Sequence, residues 1–387
     1  MTSGGPRLLL LLPQLAQDPA SGAARSMTDI ASLLARSGWQ VRALTTTVSE
    51  AGQPPDPSAL LAAHGIDVER RSKRGPELHY THRGIRTRAL LTGRHLRLDT
   101  WERVDGRRFD LAFGEELDTF QPDVVFTYGM HPGDLRRQQT AARRGMSVVF
   151  GLRNEAYLGA RTWDHLAGVL TPSEYLTSVY RNAFGLASTP LFAPLDTADV
   201  LATTHDPIFI TMVNPSARKG VDFFARLAHR LSAARPDLPF LVIESEGRAG
   251  TLLAAGDRAG IDLRRHENIR VSPPVPGPRD IFAPTRILIV PSLAEPGARV
   301  VGEALINGVP PVVSDRGGLP EMCGGAGRVL PLVDDSSLDA WCTTLITLMD
   351  DDELYGAERA KALEAATAFS PDVLRPRYDA YFRALLP

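Results

Sequence analysis

The stretch "RILIVPSLAEPGARVVGEALINGVPPVVSD", residues 286–315, predicts a strand, a short helix and a second strand in direct succession. The apolar run Ile287–Val290 is typical of a strand buried on both faces, and a Pro-Ser pair ends it. Apolar residues then recur at helical spacing over 299–307 until Gly308 ends the helix. Strand–helix–strand units of this kind build parallel, doubly wound α/β sheets.

The same alternation runs through both halves of the chain. Other segments with the character of buried strands are "RLLLLL" (7–12), "WQVRALTTT" (39–47), "PDVVFTYG" (122–129), "MSVVFGLR" (146–153), "IFITMVNP" (208–215) and "PFLVIES" (239–245). Helical patterns separate them, including one over 217–235 and one that Thr171 and Pro172 are expected to open. Around 188–207 the pattern loosens into prolines and small polar residues. Two Rossmann-like domains facing an interdomain cleft are therefore expected.

The length favours two domains, and the composition is typical of a soluble globular protein. The chain has 387 residues, 43% of them hydrophobic and 23% charged, with a formal net charge of -2. That balance gives no overall attraction to nucleic acid or membrane. Its 2 cysteines form no metal-ligand or disulfide pattern, which favours a cytoplasmic location. The apolar run Leu8–Leu12 is too short to span a bilayer and lacks a signal-peptide cleavage site, so a buried strand is expected there.

Two acids flank the turn that leads into the 299–307 helix: Glu295 precedes the turn, and Glu303 lies within the helix. The first N–H groups of a helix have no internal partner and carry the positive end of its dipole. Small residues at Gly297 and Ala298 allow an anion to approach those amides, so the turn is suited to phosphate or pyrophosphate. Glu303 is then placed for ribose hydroxyls and Glu295 for the group beyond the phosphates. This arrangement predicts a nucleotide-sugar site.

The segment resembles the E-x7-E region of the family 4 retaining glycosyltransferases of GT-B fold, the glycosyl transferases group 1. Residues that match the nearest variant of that motif are Glu295, Pro296, Arg299, Val300, Val301, Glu303, Ala304, Gly308, Pro310 and Gly317–Glu321. The expected domains are an acceptor-binding domain at 1–192, a linker at 193–206 and a nucleotide-sugar domain at 207–369. A helix within 370–387 is expected to pack back on the first domain. One departure is Gly297-Ala298, where the variant has an aromatic residue and glycine.

The resemblance extends to the donor-binding residues around "MVNPSARKGVDFFARL". In the family an Arg, and a Lys five residues later, hold the donor diphosphate; Lys219 matches the Lys, and Asn214 stands at the Arg position. Arg218 is a second source of positive charge. In the first half, Gly22 stands for the family's glycine-rich first loop. The donor-binding set implied is Gly22, Asn214, Arg218, Lys219, Glu295, Gly297, Ala298, Arg299, Val300 and Glu303.

The acceptor side is implied by two segments of the first half, "PDVVFTYGMHPGDL" and "VVFGLRNEAYLG". They supply Tyr128 and His131 from the first segment and Arg153 and Asn154 from the second. The family usually has His where this chain has Arg153. The residues expected to take part in catalysis are Glu295, Lys219 and His131, the last as proton shuttle or acceptor contact.

The resemblance implies transfer of a sugar from a nucleoside diphosphate donor, UDP-sugar favoured, to a hydroxyl with retention of anomeric configuration. It implies neither a metal nor another cofactor, and the acceptor is a small molecule, a lipid-linked group or a saccharide. Three other functions stay open. A sugar-nucleotide epimerase would alter the donor sugar without an acceptor, a non-catalytic binding protein would bind the donor without turnover, and a glycoside hydrolase would release sugar without a nucleotide.

Each site residue also has a plainer interpretation. Glu303 can pair with Arg299 four residues before it on the helix. Lys219 can be a surface lysine, although a cation at a helix start opposes the dipole. Gly22 can be an ordinary turn glycine, and His131 a loop histidine with satisfied hydrogen bonds.

Residues 70–108 contain twelve Lys or Arg against four Asp or Glu. A solvated face of strands and loops is the plainer interpretation of this basic segment. An anionic acceptor or a peripheral contact with a membrane surface is the alternative. No aromatic interleaving points to single-stranded nucleic acid.

Overall fold

The computed structural model describes residues 4–50, 56–72, 75–93, 100–159, 162–275, 277–333 and 335–387. Its strands are β1 Arg7–Leu11, β2 Gln40–Thr46, β3 Glu69–Arg71, β4 Glu77–His82, β5 Ile85–Leu90, β6 Val124–Thr127, β7 Ser147–Gly151, β8 Gly168–Thr171, β9 Thr189–Pro190, β10 Phe209–Val213, β11 Phe240–Ile243, β12 Ile269–Ser272, β13 Thr285–Val290, β14 Pro311–Ser314 and β15 Arg328–Leu330.

The helices alternate with these strands along the chain. They are α1 Gly22–Arg36, α2 Pro57–Ala63, α3 Trp101–Thr119, α4 Pro132–Arg143, α5 Glu174–Phe184, α6 Thr197–Val200, α7 Val221–Ala234, α8 Ala249–Arg258, α9 Pro278–Phe282, α10 Arg299–Ile306, α11 Leu319–Cys323, α12 Asp335–Asp350, α13 Asp352–Ala365 and α14 Pro371–Arg383. Within the described ranges, no helix combines the length and the apolar character needed to cross a bilayer.

The chain divides into two compact units. Unit 1 contains Met1–Pro172, Thr177–Pro194 and Pro371–Pro387, and unit 2 contains Ser173–Leu176 and Leu195–Ser370. The C-terminal helix α14 thus belongs to unit 1, where it packs on α1.

Unit 1 is built on one sheet with the strand order β3-β4-β5-β2-β1-β6-β7-β8-β9 in the described part of the chain. From β5 onward the neighbouring strands are parallel, whereas β3, β4 and β5 pair antiparallel. The basic segment 70–108 forms this antiparallel extension and the start of α3, apart from residues 73–74 and 94–99, which lie outside the described residues. Some of its positive charge is neutralised by acids of unit 1, since Arg88 pairs with Glu77 and Glu115.

Unit 2 is built on a parallel sheet with the order β12-β11-β10-β13-β14-β15. Numbered within the unit, this is the order 3-2-1-4-5-6 of a doubly wound dinucleotide-binding sheet. Phe224, Phe240 and Trp341 are fully buried in its core. Burial of each such side chain contributes about 1.5–3 kcal/mol relative to exposure, so these apolar strands and helices fix the sheet that carries the loops.

Two local expectations were wrong. The helix predicted over 217–235 is interrupted: a 3₁₀ turn at Ala217–Lys219 ends at Gly220, whose φ is 78°. A left-handed residue cannot continue an α-helix, so α7 begins only after it. The cap expected at Thr171 is instead supplied by Ser173, whose Oγ accepts from Leu176 N at 3.1 Å. Thr171 ends β8, and its hydroxyl bonds that of Thr177.

Candidate functional site

The carboxyl ends of β10 and β13 define the candidate site of unit 2. These strands are neighbours in the sheet although two other strands separate them in sequence, so the strand order reverses here. Ligands of doubly wound sheets bind in the crevice beyond such a switch point. The loops that follow the two strands, 214–220 and 291–298, contain most of the residues predicted to bind the donor. The structure brings those residues of unit 2 to one edge of one sheet.

The loop after β10 is held by Asn214, which has a φ of 64°. Its side-chain Oδ1 accepts from Gly247 N at 2.8 Å, and its carbonyl oxygen accepts from Ser216 N at 2.7 Å. Asparagine tolerates the left-handed region better than most residues because its short side chain can bond locally. Asn214 therefore connects the loop after β10 to the neighbouring loop after β11.

The two loops at the switch point are joined by backbone contacts. Leu293 N donates to Arg218 O at 3.0 Å. A Cβ at Gly220 would lie 1.8 Å from Pro291 O, so the chains approach too closely there for any side chain. Arg218 itself is exposed at this edge. These contacts fix the position of Lys219, which lies between them in sequence.

The loop after β13 is supported from the far side by the loop after β14. Gly318 N donates to Glu295 O at 2.8 Å. A Cβ at Gly317 would lie 2.4 Å from the same oxygen, and the φ of Gly317 is 61°. Glu295 is 8% exposed. Gly317 and Gly318 thus allow the loop after β14 to pack directly against the backbone of Glu295.

Several polar groups between the end of β13 and the start of α10 have no hydrogen-bond partner in the part of the chain that the structure describes. The amide N–H groups of Gly297, Ala298 and Val300 donate to no acceptor among the described residues. The hydroxyl of Ser292 is buried and also lacks a hydrogen bond there. Ala298 is the N-cap residue, with extended backbone and no side-chain cap. Unsatisfied amides at a helix N-terminus attract anions.

Both acids of the motif lie in ion pairs. Lys219 Nζ pairs with Glu295, and Arg299 Nε donates to Glu303 Oε1 at 2.8 Å. Glu303 is 5% exposed. The plainer interpretation of Glu303, a helical pair with Arg299, is thus what the structure contains. Asn307, on the next turn, is also buried, and its Nδ2 donates to Glu303 O.

The predicted residues of unit 1 lie at the carboxyl ends of its strands. Gly22 is exposed at the start of α1, and a Cβ added to it would meet nothing within 4 Å. Tyr128 follows β6, is buried and donates to Gln14 Oε1. His131 is exposed at the N-cap of α4, and its backbone N–H donates to Asp134 Oδ2 at 3.2 Å. Burial raises the pKa of Asp134 to about 6.

Arg153 and Asn154 follow β7. The Arg153 guanidinium is buried beside Tyr378 of α14, and none of its nitrogens makes a well-formed hydrogen bond to a residue that the structure describes. Burial lowers the pKa of Arg153, and the neighbouring Tyr378 hydroxyl partly opposes that shift. Asn154 Oδ1 accepts from Ala156 N at 2.9 Å. The acceptor-side roles of these residues stay predictions.

Sequence reasoning missed the supporting residue Ser173. Its hydroxyl donates to Pro296 O at 2.5 Å, although the two residues are separated by 123 positions. A Pro-Ser-Glu sequence after a strand predicts only a helix start, because the partner of the hydroxyl depends on tertiary packing.

Comparison with known proteins shows that this chain is similar to glycosyltransferases. Residues 205–351 match the family model of the glycosyl transferases group 1, a stretch that contains both site loops and both acids. The chain is 31% identical over 194 residues to D-inositol 3-phosphate glycosyltransferase 1 of Catenulispora acidiphila. That alignment covers 48% of this chain and 46% of the relative, so the chain spans about half the length of that relative.

Solved structures match the chain over nearly its whole length. Sucrose-phosphate synthase from Thermosynechococcus elongatus has a TM-score of 0.70 at 15% identity and covers 98% of this chain and 99% of its own. Anabaena Alr3699/HepE in complex with UDP and glucose has a TM-score of 0.67 at 14% identity, covering 97% and 99%. The fold is GT-B. At these identities the similarity defines the architecture of the two Rossmann-like domains.

Proposed function

We propose that this chain is a glycosyltransferase that moves a sugar from a nucleoside diphosphate donor, with UDP-sugar favoured, to a hydroxyl acceptor. The observation that carries the proposal is the cluster of unpartnered amides at Gly297, Ala298 and Val300 at a sheet switch point. Lys219 and two buried acids flank that cluster. The match to the glycosyl transferases group 1 over 205–351 supports it.

In this proposal the diphosphate binds the amides at the start of α10 and the ammonium of Lys219. Arg218, on the loop after β10, and Arg299, the first residue of α10, supply further positive charge. Glu303 accepts hydrogen bonds from the ribose hydroxyls, and Glu295 faces the transferred sugar. Donor binding then rearranges the two ion pairs, because the diphosphate and the acids share the same cations.

The chemical contribution of these groups is stabilisation of the leaving nucleoside diphosphate. Its negative charge grows as the glycosidic bond breaks, and donors already in place stabilise it without reorganisation. Loss of one such donor typically costs about 3 kcal/mol of barrier reduction. Glu295 orients the donor sugar or stabilises positive charge at its anomeric carbon. We propose retention of configuration, with backbone amides and Lys219 in place of a metal ion.

The acceptor is proposed to bind unit 1 through Tyr128, His131, Arg153 and Asn154. The name of the Catenulispora relative specifies D-inositol 3-phosphate, so a phosphorylated polyol is the first acceptor to test. Saccharides are the next acceptors to test, and lipid-linked acceptors come after them. For a lipid-linked acceptor, the 70–108 segment would contact the membrane surface. Cosedimentation with phosphatidylglycerol vesicles tests that last contact.

A transfer assay tests the function. The protein is incubated with UDP-, GDP-, ADP- and dTDP-sugars, with and without the acceptors, and nucleoside diphosphate release is measured with and without EDTA. Acceptor-dependent release that EDTA leaves unchanged is expected, and NMR of the product reports the anomeric configuration. An altered donor sugar without acceptor identifies an epimerase, and donor binding without release identifies a binding protein.

A further inference from the structure

The segment that opens helix α5 belongs to unit 2 and packs on the loop after β13. Ser173 is fully buried, and its hydroxyl has two partners. It donates to Pro296 O at 2.5 Å and accepts from Leu176 N at 3.1 Å. One hydroxyl therefore caps α5 and fixes a peptide of the candidate site.

A carboxylate from α11 holds this helix start in place. Glu321 Oε1 accepts from Glu174 N at 2.9 Å, and Oε2 accepts from Tyr175 N at 3.3 Å. A negative charge at a helix N-terminus is stabilised by the dipole and by the exposed amides. With Ser173 as the third acceptor, the first three N–H groups of α5 are satisfied by unit 2. Glu321 thus anchors the segment that carries Ser173.

The bond to Pro296 determines the direction of the next amide. The described part of the chain contains no cis peptide bond. In a trans peptide the C=O and the N–H point to opposite sides. Since Pro296 O is directed at Ser173, the N–H of Gly297 is directed away from Ser173. That N–H is one of the unpartnered amides at the start of α10.

Resting on the proposed function, we propose that Ser173 and Glu321 are positioning residues for the donor diphosphate. Ser173 holds the Pro296–Gly297 peptide so that the Gly297 N–H faces the diphosphate, and Glu321 keeps Ser173 in place. The Gly318 N–H fixes the preceding carbonyl, that of Glu295, in the same way. Neither positioning residue touches the substrate. Both act through backbone geometry.

The test compares ligands with and without the diphosphate. Calorimetry measures the Kd of the wild type for UDP, GDP, ADP and dTDP, and then for the nucleoside of the tightest binder. Ser173→Ala is expected to weaken diphosphate binding about tenfold and to leave nucleoside binding within about twofold, since one charge-assisted hydrogen bond is misaligned. Ser173→Thr keeps the hydroxyl and is expected to restore binding. Glu321→Ala is expected to give a smaller loss of the same kind.

Matched measurements separate positioning from general stability. Glu353→Ala removes an exposed acid from the first turn of another unit 2 helix, α13, and is expected to leave both affinities unchanged. Equal loss of diphosphate and nucleoside binding in Ser173→Ala, or no loss at all, overturns the proposal. If Ser173→Ala does not fold, Glu321→Ala decides by the same criterion. A wild type that binds no nucleoside diphosphate overturns the proposed function itself.

Discussion

Lys219 and Glu295 form an ion pair that connects the loop after β10 to the loop after β13. The Glu295 side chain is 10% exposed and that of Lys219 31% exposed. If a diphosphate binds at the start of α10 as proposed, it competes with Glu295 for the ammonium of Lys219. The pair keeps both side chains at the switch point between β10 and β13.

Replacement of Lys219 and replacement of Glu295 are expected to have opposite effects on the affinity for nucleoside diphosphates. Lys219→Met is expected to weaken nucleoside diphosphate binding by about tenfold or more, since a charge-assisted contact is lost. Glu295→Gln removes the competing anion, so diphosphate affinity is expected to stay equal or rise, while transfer falls by about a hundredfold. Calorimetry and initial rates measure the two effects. A Glu295→Gln protein with weakened diphosphate binding and normal turnover contradicts these roles.

Glu303 is expected to bind the donor rather than only stabilise α10. A helical pair with Arg299 contributes about 0.3–0.5 kcal/mol to stability. A ribose contact instead predicts that Glu303→Ala abolishes the rise in Tm that a saturating donor gives through mass action. Arg299→Ala breaks the same pair and serves as the control, with a donor-induced rise that is reduced but present. Equal, undiminished rises in both variants support the plainer interpretation.

The close approach of the two loops predicts strong intolerance at Gly220. Its φ of 78° and the 1.8 Å separation of a Cβ from Pro291 O leave no room for alanine. Gly220→Ala is expected to lower the free energy of unfolding by about 2 kcal/mol or more. Gly356, inside α13, has nothing within 4 Å of an added Cβ. Gly356→Ala is expected to stabilise by about 0.5–1 kcal/mol. Denaturation curves check both changes, and equal effects contradict the geometry.

The raised pKa of Asp134 is expected to make the free energy of unfolding depend on pH. Burial raises its pKa to about 6, although Arg137 and His131 nearby lower it and Glu102 raises it further. Because the folded pKa lies above the unfolded value, the group stabilises the fold fully below about pH 4 and loses this contribution as pH rises through 6. Asp134→Asn keeps an acceptor for His131 N–H without the charge. Its stability relative to the wild type is expected to rise by about 2 kcal/mol between pH 4 and 7. A pH-independent difference contradicts the assignment.

Periodicity predicted the parallel sheets because apolar strand runs between helical patterns depend on local sequence. It did not predict the antiparallel pairing of β3, β4 and β5, because the pairing depends on contacts between strands and not on the pattern within each strand. The break at Gly220 was also missed: its φ is 78°, and the close approach of Pro291, seventy-one positions later in the chain, cannot be read from local sequence. Local pattern thus determines element type, whereas close approaches between loops determine their ends.

The candidate site was predictable only in part. The acids and small residues of 295–303 form a contiguous motif, and the structure places them at one sheet edge. The hydrogen-bond and ion-pair partners of these residues were harder to predict from the sequence. Glu303 pairs with Arg299 as local spacing suggests, but the Lys219–Glu295 pair joins residues seventy-six positions apart. Ser173 and Glu321 support the loop through contacts more than a hundred positions apart.

The proposed function requires that the loops after β10 and β13 bind the diphosphate of an activated sugar. Calorimetric titration of the wild type with UDP, GDP, ADP and dTDP, each beside its own nucleoside, tests it most directly. At least one nucleoside diphosphate is expected to bind about a hundredfold more tightly than its nucleoside, since several amides and one ammonium would contact the phosphates. Equal affinity for a diphosphate and its nucleoside, or no binding of any of the four, would contradict it.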